Sequence, residues 1–363
     1  MAQLGHNAHR FSIEWSRVEP EEGRWNDEAF ERYRQMILAL RAQKIEPVVT
    51  LHHFTNPVWW AQKGDWLHED NLRYFYRYVR EVAERLGPDI RYWITINEPV
   101  VHFYHSYILG VWPPGHTSLR EGLRVFRNLI LGHIQAYQII HEVAAAKKFE
   151  AMVSLANHMT AVTPHRPHSP LDRFSAFLRH DFINQVVMRA VMDGFLFFPG
   201  VYCENLPGHH TLDYIGINYY SRQSIRFGGW TLHGILGLEV AIHDRENAAA
   251  VERNSLQWEV YPDGLYQLLL HMRRYSLPIM ITESGICTEN DEQRQRFIES
   301  HLQAVRKAQT QGVPVFGYLY WSLLDNFEWA HGFGPRFGII HTNYETMERK
   351  IKDSAHVLSR LCR

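Results

Sequence analysis

Short apolar runs alternate with longer amphipathic segments along the chain. The runs are rich in β-branched and aromatic residues, predict strands, and lie at 9–15, 46–54, 91–98, 150–158, 212–220, 278–284 and 314–322. The segments 26–45, 71–87 and 291–312 carry apolar residues at helical spacing, with Asn26 as N-cap of the first and a C-capping glycine ending the other two. Apolar strands separated by helices are typical of a parallel sheet that helices cover.

Polar side chains gather where these predicted strands end. They are His52, His53, Asn97, Glu98, Asn157, His158, Asn218, Tyr220, Glu283 and Trp321. Ligands bind at this edge both in a parallel barrel and in a doubly wound open sheet. No glycine-rich phosphate loop follows an early strand, which favours the barrel. We therefore expect the functional site at the carboxyl ends of the strands.

Two regions interrupt the alternation. Residues 159–211 predict loops around one helix-like piece at 171–194, and residues 221–256 predict a long excursion that a hairpin would suit. Long loops at a ligand-binding face are often functional. We interpret residues 1–363 as a single catalytic domain, with 221–256 as a loop excursion at its catalytic face.

Composition narrows the class of protein. The formal net charge of -1 argues against a nucleic-acid binder that acts through a basic surface. The N-terminal residues contain no apolar signal-peptide core, and no run approaches the ~18 apolar residues of a membrane span, so we expect a cytoplasmic protein without a membrane partner. The three cysteines, Cys203, Cys287 and Cys362, form neither a metal-ligand spacing nor a disulfide framework, which suits a reducing compartment.

Aromatic residues are numerous, with 11 Trp, 18 Tyr and 19 Phe. They fit either a large core or a sugar-binding cleft, and composition alone favours the core. The histidines, including the adjacent His209 and His210, show no metal-ligand pattern, so we predict no metal.

Two glutamates follow apolar strands in the same way, Glu98 in "TINEP" (95–99) and Glu283 in "ITESG" (281–285). A buried carboxylate is costly unless it has partners or a function. Each glutamate could pair with an arginine or cap a helix. Two carboxylates with the same layout instead favour glycoside hydrolysis, which uses one as acid and the other as nucleophile or base.

These motifs resemble the signatures of glycoside hydrolase family 1, the β-glucosidase and β-galactosidase group. Further similar stretches, in the family's order, are "HRFSIEWSRVEPEEG" (9–23), "TLHHFTNPVWW" (50–60), "DYIGINYYSR" (213–222) and "YWSLLDNFEWAHGFGPRFGIIHTNYET" (320–346). The resemblance covers almost the whole chain. It implies a TIM-type (β/α)8 barrel and a retaining glycosidase that needs no cofactor.

The resemblance also implies a role for each matching residue. Glu98 corresponds to the general acid/base and Glu283 to the nucleophile. Arg10 and Tyr220 would steady Glu283, His53 and Asn97 would bind sugar hydroxyls, Asn218 would be a further substrate-binding residue, Trp321 would form the floor of the sugar subsite, and Glu328 and Trp329 would grip the far hydroxyls. Without the family resemblance, we would interpret four of these residues as ordinary core or ion-pair residues: His53, Arg10, Trp321 and Trp329.

The chemistry sets requirements for the two carboxyl groups. Burial and the charge of Glu283 should raise the pKa of Glu98, which must be protonated to assist the leaving group. Arg10 and Tyr220 should keep Glu283 ionised. In a retaining enzyme the two carboxyl groups should lie ~5–5.5 Å apart.

The chain departs from the family pattern most clearly at its beginning. The seven predicted strands leave a closed barrel one strand short, and the family's first strand, with a glutamine that binds the sugar, has no counterpart. A neighbouring copy of the chain in a homo-oligomer, the 221–256 excursion, or nothing could cover the open edge. Ser284 replaces the commoner asparagine beside the nucleophile, and Val100 replaces a frequent aromatic residue, so the aglycone preference is open.

We therefore predict a retaining β-glycosidase that acts on small β-glucosides or β-galactosides. Glu328 and Trp329 are both intact, whereas phosphosugar members of the family usually replace them, so an unphosphorylated sugar is favoured. The intact glutamates favour catalysis. The absent strand favours an alternative, a catalytically impaired sugar-binding or scaffold protein with a relic pocket. A transglycosylase is a further alternative among enzymes.

Overall fold

The computed structural model describes residues 1–240 and 251–362. The strands are β1 Ala8–Ser12, β2 Glu46–His52, β3 Tyr92–Asn97, β4 Met152–Pro164, β5 Phe195–Phe198, β6 Tyr202–Asn205, β7 Ile215–Arg226, β8 Leu238–Glu239, β9 Ile279–Ser284, β10 Val315–Tyr320, β11 Ile340–Thr342 and β12 Arg349–Ile351. The helices are α1 Trp15–Val18, α2 Asp27–Ala42, α3 Val58–Ala61, α4 Leu72–Leu86, α5 Pro99–Phe103, α6 Leu119–Lys147, α7 Pro170–His180, α8 Val186–Asp193, α9 Leu232–Ile235, α10 Pro262–Met272, α11 Asp291–Thr310 and α12 Asp353–Leu361.

The main sheet contains a strand for every predicted apolar run. Its order is β1-β2-β3-β4-β7-β9-β10, and the pairs β1–β2, β2–β3, β3–β4 and β9–β10 are parallel. Within the described part of the chain, β1 pairs only with β2, and β10 pairs only with β9. The strands β2, β3 and β9 are almost wholly buried, whereas every residue of β1 is partly exposed.

The chain divides into two compact units. The first comprises Met1–His158 and Val186–Gly216, and the second comprises Met159–Gln185 and Ile217–Arg363. We call them unit 1 and unit 2. The prediction of one catalytic domain stays a prediction.

In unit 1, tryptophans form much of the core behind β1 to β3. Trp15, Trp60 and Trp66 are fully buried, and the ring centroids of Trp15 and Trp60 lie 4.6 Å apart. The ring of Trp66 meets that of Trp60 edge-on at 5.0 Å, and Phe75 on α4 closes the cluster against Trp66. These aromatic residues therefore serve the core and are unavailable for a sugar cleft.

In unit 2, β9 supports the second half of the candidate site. Its residues are all buried, and α11 begins where Asn290 caps the backbone N–H groups of Glu292 and Gln293. Arg294, on the first turn of α11, is fully buried and donates to a carboxylate oxygen of Asp291 at 2.6 Å. The start of α11, which follows β9 in the chain, is thus fixed by its own capping and ion-pair contacts.

Several local predictions were wrong or incomplete. The predicted helix at 171–194 is divided into α7 and α8 by a π-helical turn at Asp181–Gln185. Gly87 is the C-cap of α4 as predicted, but its φ of −53 is right-handed helical rather than left-handed. Gly312 near the end of α11 does have a left-handed φ of 80.

Short antiparallel pairs were not all predicted. The pairs β5–β6 and β11–β12 were missed because their strands are only three or four residues long. In the 221–256 excursion, β8 pairs antiparallel with the end of β7, as a hairpin would, and residues 241–250 lie outside the described residues. No helix in the described residues is long and apolar enough to cross a bilayer.

Candidate active site

Glu98 lies directly after β3 in a constrained backbone. Its own N–H donates to the carbonyl oxygen of Ala156 on β4 at 2.8 Å, and Pro99 begins α5. Glu98 has φ 45 and ψ 65, a left-handed conformation that is unfavourable for a residue with a side chain. Such strained positions cluster at functional sites. The residue is 7% exposed, so its carboxyl group sits in a largely desolvated environment.

The imidazole of His158 lies near the carboxyl group of Glu98. Nδ1 of His158 on β4 lies 3.6 Å from Oε1 of Glu98, and the two side chains are 26% and 9% exposed. The sequence analysis noted His158 at a strand end without giving it a function. Only its position at a strand end could have indicated this residue from the sequence. In the structure it lies two residues beyond Ala156, which pairs with Asn97 in the β3–β4 register.

Arg10 orients the residue before Glu98. Its Nη2 donates to Oδ1 of Asn97 at 2.6 Å, and its Nε donates to Oγ1 of Thr50 at 2.9 Å. Bonds from a guanidinium are stronger than neutral ones, so the amide oxygen of Asn97 is firmly placed. The sequence suggested Arg10 as a partner of Glu283, and that role stays a prediction.

The two adjacent histidines after β2 differ in their surroundings. His53 is partly exposed, and its Nδ1 lies 3.2 Å from Oγ of Ser12. Burial, with the nearby charge of Arg10, holds the pKa of His53 well below its usual range, so the ring is neutral near neutral pH. His52 is buried, and its Nε2 lies 2.9 Å from Oδ1 of Asn56.

In unit 2, a tyrosine hydroxyl holds the second glutamate. Glu283 on β9 is 5% exposed, and Tyr220 on β7 donates from its hydroxyl to Oε2 of Glu283 at 2.5 Å. An O–H donor at this distance stabilises the ionised carboxylate. The structure thus brings together two residues that the family resemblance assigned to the same function.

Asn218 is also on β7 and is fully buried. Its Oδ1 accepts from Oγ1 of Thr282, the residue before Glu283, at 2.7 Å. This bond ties the strand that carries Tyr220 to the strand that carries Glu283. Asn218 therefore stabilises the position of the carboxylate, and its predicted contact with substrate stays a prediction.

The turn after Glu283 explains the glycine of "ITESG". A β-carbon on Gly285 would lie 1.7 Å from the carbonyl oxygen of Trp321, so no larger residue fits without displacing that backbone. The N–H of Trp321 in turn donates to the carbonyl oxygen of Ser284 at 3.0 Å. Trp321 is thereby fixed beside the end of β9.

Glu328 and Trp329 lie in the loop that follows β10. Both are partly exposed, and the N–H of Glu328 donates to the carbonyl oxygen of Gly332 at 2.8 Å. Trp329 has a positive φ of 46. The loop therefore turns tightly on itself, and the predicted contacts of both side chains with the sugar stay predictions.

The predicted site residues thus fall into two groups. Unit 1 carries Arg10, His53, Asn97 and Glu98, and unit 2 carries Asn218, Tyr220, Glu283, Trp321, Glu328 and Trp329. Among the described residues, no cluster of three or more His, Cys, Asp or Glu side chains could hold a metal ion. Each group contains one buried glutamate, Glu98 in unit 1 and Glu283 in unit 2.

Comparison with known proteins identifies the class. The family model "Glycosyl hydrolase family 1" matches residues 1–363, and the chain belongs to this family. It is a β-glucosidase-like member. The solved structure of a β-glycosidase from Pyrococcus horikoshii superposes with a TM-score of 0.91 at 37% identity, over 100% of this chain and 82% of that chain. The predicted TIM-type (β/α)8 fold class is therefore confirmed.

Relatives differ in what their names say they do. Beta-glucosidase A of Acetivibrio thermocellus is 30% identical over 383 residues, which cover 98% of this chain and 83% of the relative. The chloroplastic galactolipid galactosyltransferase of Arabidopsis thaliana is 29% identical, over 98% of this chain and 55% of the relative. The family thus includes both hydrolases and a transferase.

Proposed function

We propose that the protein is a retaining β-glycosidase that hydrolyses unphosphorylated β-glucosides or β-galactosides. Glu98 is the general acid/base and Glu283 is the nucleophile in this proposal. The observation that carries it is the buried Glu283 carboxylate with the Tyr220 hydroxyl at 2.5 Å, because a nucleophile must stay ionised to attack. Family membership supports the same assignment.

The first step forms a glycosyl-enzyme. Oε1 or Oε2 of Glu283 attacks the anomeric carbon, the bond from that carbon to the glycosidic oxygen breaks, and Glu98 gives its proton to the departing oxygen. The aglycone leaves as an alcohol. Glu98 has then become a carboxylate, and the charge of Glu283 has been consumed in an ester bond.

The second step returns the enzyme to its starting state. Glu98 accepts a proton from water as the water oxygen attacks the anomeric carbon, and the ester to Glu283 breaks. The sugar leaves with its β-configuration retained. His53, Asn97, Glu328 and Trp329 bind its hydroxyls, and Trp321 packs against its ring.

Release of nitrophenol from an aryl β-glucoside by the purified chain tests this proposal. Turnover should be present in the wild-type protein and lost in Glu283→Gln. Glu98→Gln should lose more activity on an alkyl glucoside than on the aryl glucoside, because a nitrophenolate leaves without a proton. A folded wild-type protein with no more turnover than Glu283→Gln would refute hydrolysis and leave a sugar-binding relic.

Glycosyl transfer is the second candidate, and the similarity to a galactosyltransferase favours testing it. In transfer, an alcohol replaces water in the second step and receives the sugar. Product analysis with a β-galactoside donor and a sugar or glycerol acceptor separates the two outcomes. A product distribution dominated by the new glycoside, at acceptor concentrations far below that of water, would assign transfer.

A further inference from the structure

His158 stands beside the carboxyl group of Glu98 and no role has been given to it above. We propose that His158 is a positioning residue that holds Glu98 and promotes its function as the base in the second step. This inference rests on the proposed function of Glu98. It concerns a contact within unit 1 alone, between the neighbouring strands β3 and β4, whose register shifts between Ile94 and Asn97, just before Glu98.

The backbone places the two residues in a fixed relation. The N–H of Glu98 donates to the carbonyl oxygen of Ala156 on β4 at 2.8 Å. His158 lies two residues after Ala156 on the same strand. Residues two apart on a strand point to the same face. In this arrangement of β3 and β4, Nδ1 of His158 lies 3.6 Å from Oε1 of Glu98.

The imidazole acts on the ionised form of Glu98. Positive charge or an N–H dipole at 3.6 Å acts electrostatically, and it lowers the free energy of a carboxylate more than that of a carboxylic acid. Glu98 is a carboxylate during the second step and an acid during the first. His158 thus favours the second step and makes Glu98 lose its proton at a lower pH in the free enzyme.

Other titratable groups near Glu98 contribute differently. Arg10 of β1 contacts the neighbouring Asn97 and stays charged throughout. His53 after β2 and His102 on α5 have strongly lowered pKa values because of burial, so both are neutral across the working range. The charge of Glu283 opposes ionisation of Glu98 in the proposed mechanism, and it is unchanged by substitution of His158.

The test is the pH dependence of kcat/KM on an aryl β-glucoside and on an alkyl β-glucoside. In His158→Asn, the basic limb should move to higher pH by about one pH unit, because Glu98 keeps its proton longer. His158→Gln places the same uncharged amide on a longer side chain, so its basic limb should move in the same direction. His209→Asn, an identical change at an exposed histidine of unit 1, should leave the profile unmoved.

A double variant shows whether the effect passes through Glu98. In Glu98→Ala the aryl substrate can still form the glycosyl-enzyme, and azide can attack the anomeric carbon in place of the base-assisted water. Adding His158→Asn to Glu98→Ala should change this azide-rescued rate by less than about 2-fold, whereas a merely structural role of His158 would lower it again.

The outcomes separate the two proposals. The proposed function is refuted if the wild-type protein shows no turnover, or if turnover persists in Glu283→Gln. An active enzyme whose basic limb stays in place or moves to lower pH in His158→Asn overturns the role of His158 alone. If His158→Asn does not fold, His158→Gln and the double variant decide the question in the same way.

Discussion

Replacing Tyr220 by phenylalanine removes one hydroxyl from the environment of the proposed nucleophile. The hydroxyl donates to Oε2 of Glu283 at 2.5 Å, and Glu283 is 5% exposed. Water therefore has little access with which to replace the lost donor. The substitution should raise the pKa of Glu283, because the ionised form loses a hydrogen bond that the protonated form cannot use in the same way.

The size of the effect follows from the strength of the bond. A hydrogen bond to a charged group contributes about 1.5–3 kcal/mol net. Since one pKa unit corresponds to about 1.4 kcal/mol, the acid limb of kcat/KM should move upward by about 1–2 pH units. The limb moves up rather than down because the active form of Glu283 is the carboxylate, which forms only above its pKa.

The assay is kcat/KM for an aryl β-glucoside across the acid range, with Tyr219→Phe as the matched control. Tyr219 is the adjacent residue on β7, is fully buried, and donates to the carbonyl oxygen of Tyr261 at 2.6 Å. Loss of this hydrogen bond in Tyr219→Phe should lower the free energy of unfolding by about 1 kcal/mol without moving the acid limb of kcat/KM. An acid limb that stays in place in Tyr220→Phe would refute the reasoning.

Three further predictions concern stability and sugar binding. Gly285→Ala should lower the free energy of unfolding by about 3 kcal/mol or more, because the new β-carbon would lie 1.7 Å from the carbonyl oxygen of Trp321; an unchanged urea midpoint would contradict this. Hydrogen bonds from Arg166 lower the pKa of Asp172 to about 2, so its carboxylate contributes stability above about pH 4 that is lost as the pH falls toward 2. Asp172→Asn should therefore cost about 2 kcal/mol in urea unfolding near neutral pH and much less at about pH 2, and an equal cost at both would be inconsistent with the ion pair. Glu328→Gln should lower kcat/KM on an aryl β-glucoside by about 10-fold or more while unfolding stays the same, and an unaltered kcat/KM would remove Glu328 from the sugar site.

The strands of the fold were predictable because each is a dense apolar run bounded by polar or turn residues. The segment "RYWITINEPV" shows this clearly: β3 begins at Tyr92 and ends at Asn97, next to the Glu98 that the sequence placed after it. The break between α7 and α8 was not predicted, since the i→i+5 turn at Asp181–Gln185 contains neither Gly nor Pro to mark it in the sequence.

Residue types at strand ends indicated the candidate site, but its contacts depend on register. Arg10 was expected to steady Glu283, which stays a prediction, and its hydrogen bonds to Asn97 and Thr50 were not predicted. That contact follows from the alignment of β1 with β2, in which Arg10 pairs with Val48, and a single sequence does not specify such an alignment. The approach of His158 to Glu98 escaped prediction for the same reason.

Tyr220 and His158 act in the same direction on the proposed pair of carboxyl groups. The Tyr220 hydroxyl favours the carboxylate of Glu283 through a hydrogen bond, and we proposed that the nearby His158 imidazole favours that of Glu98. Tyr220 should therefore lower the acid limb and His158 the basic limb. The combined variant Tyr220→Phe/His158→Asn should therefore shift the whole bell-shaped profile to higher pH, with both limbs displaced by about one unit or more and the width nearly kept. Each single variant should instead change the width of the pH profile. Tyr220→Phe should narrow it, and His158→Asn should broaden it. Because two coupled carboxyl groups titrate as a pair, a double variant that merely reproduces one single variant would show that the limbs do not belong to these two glutamates separately.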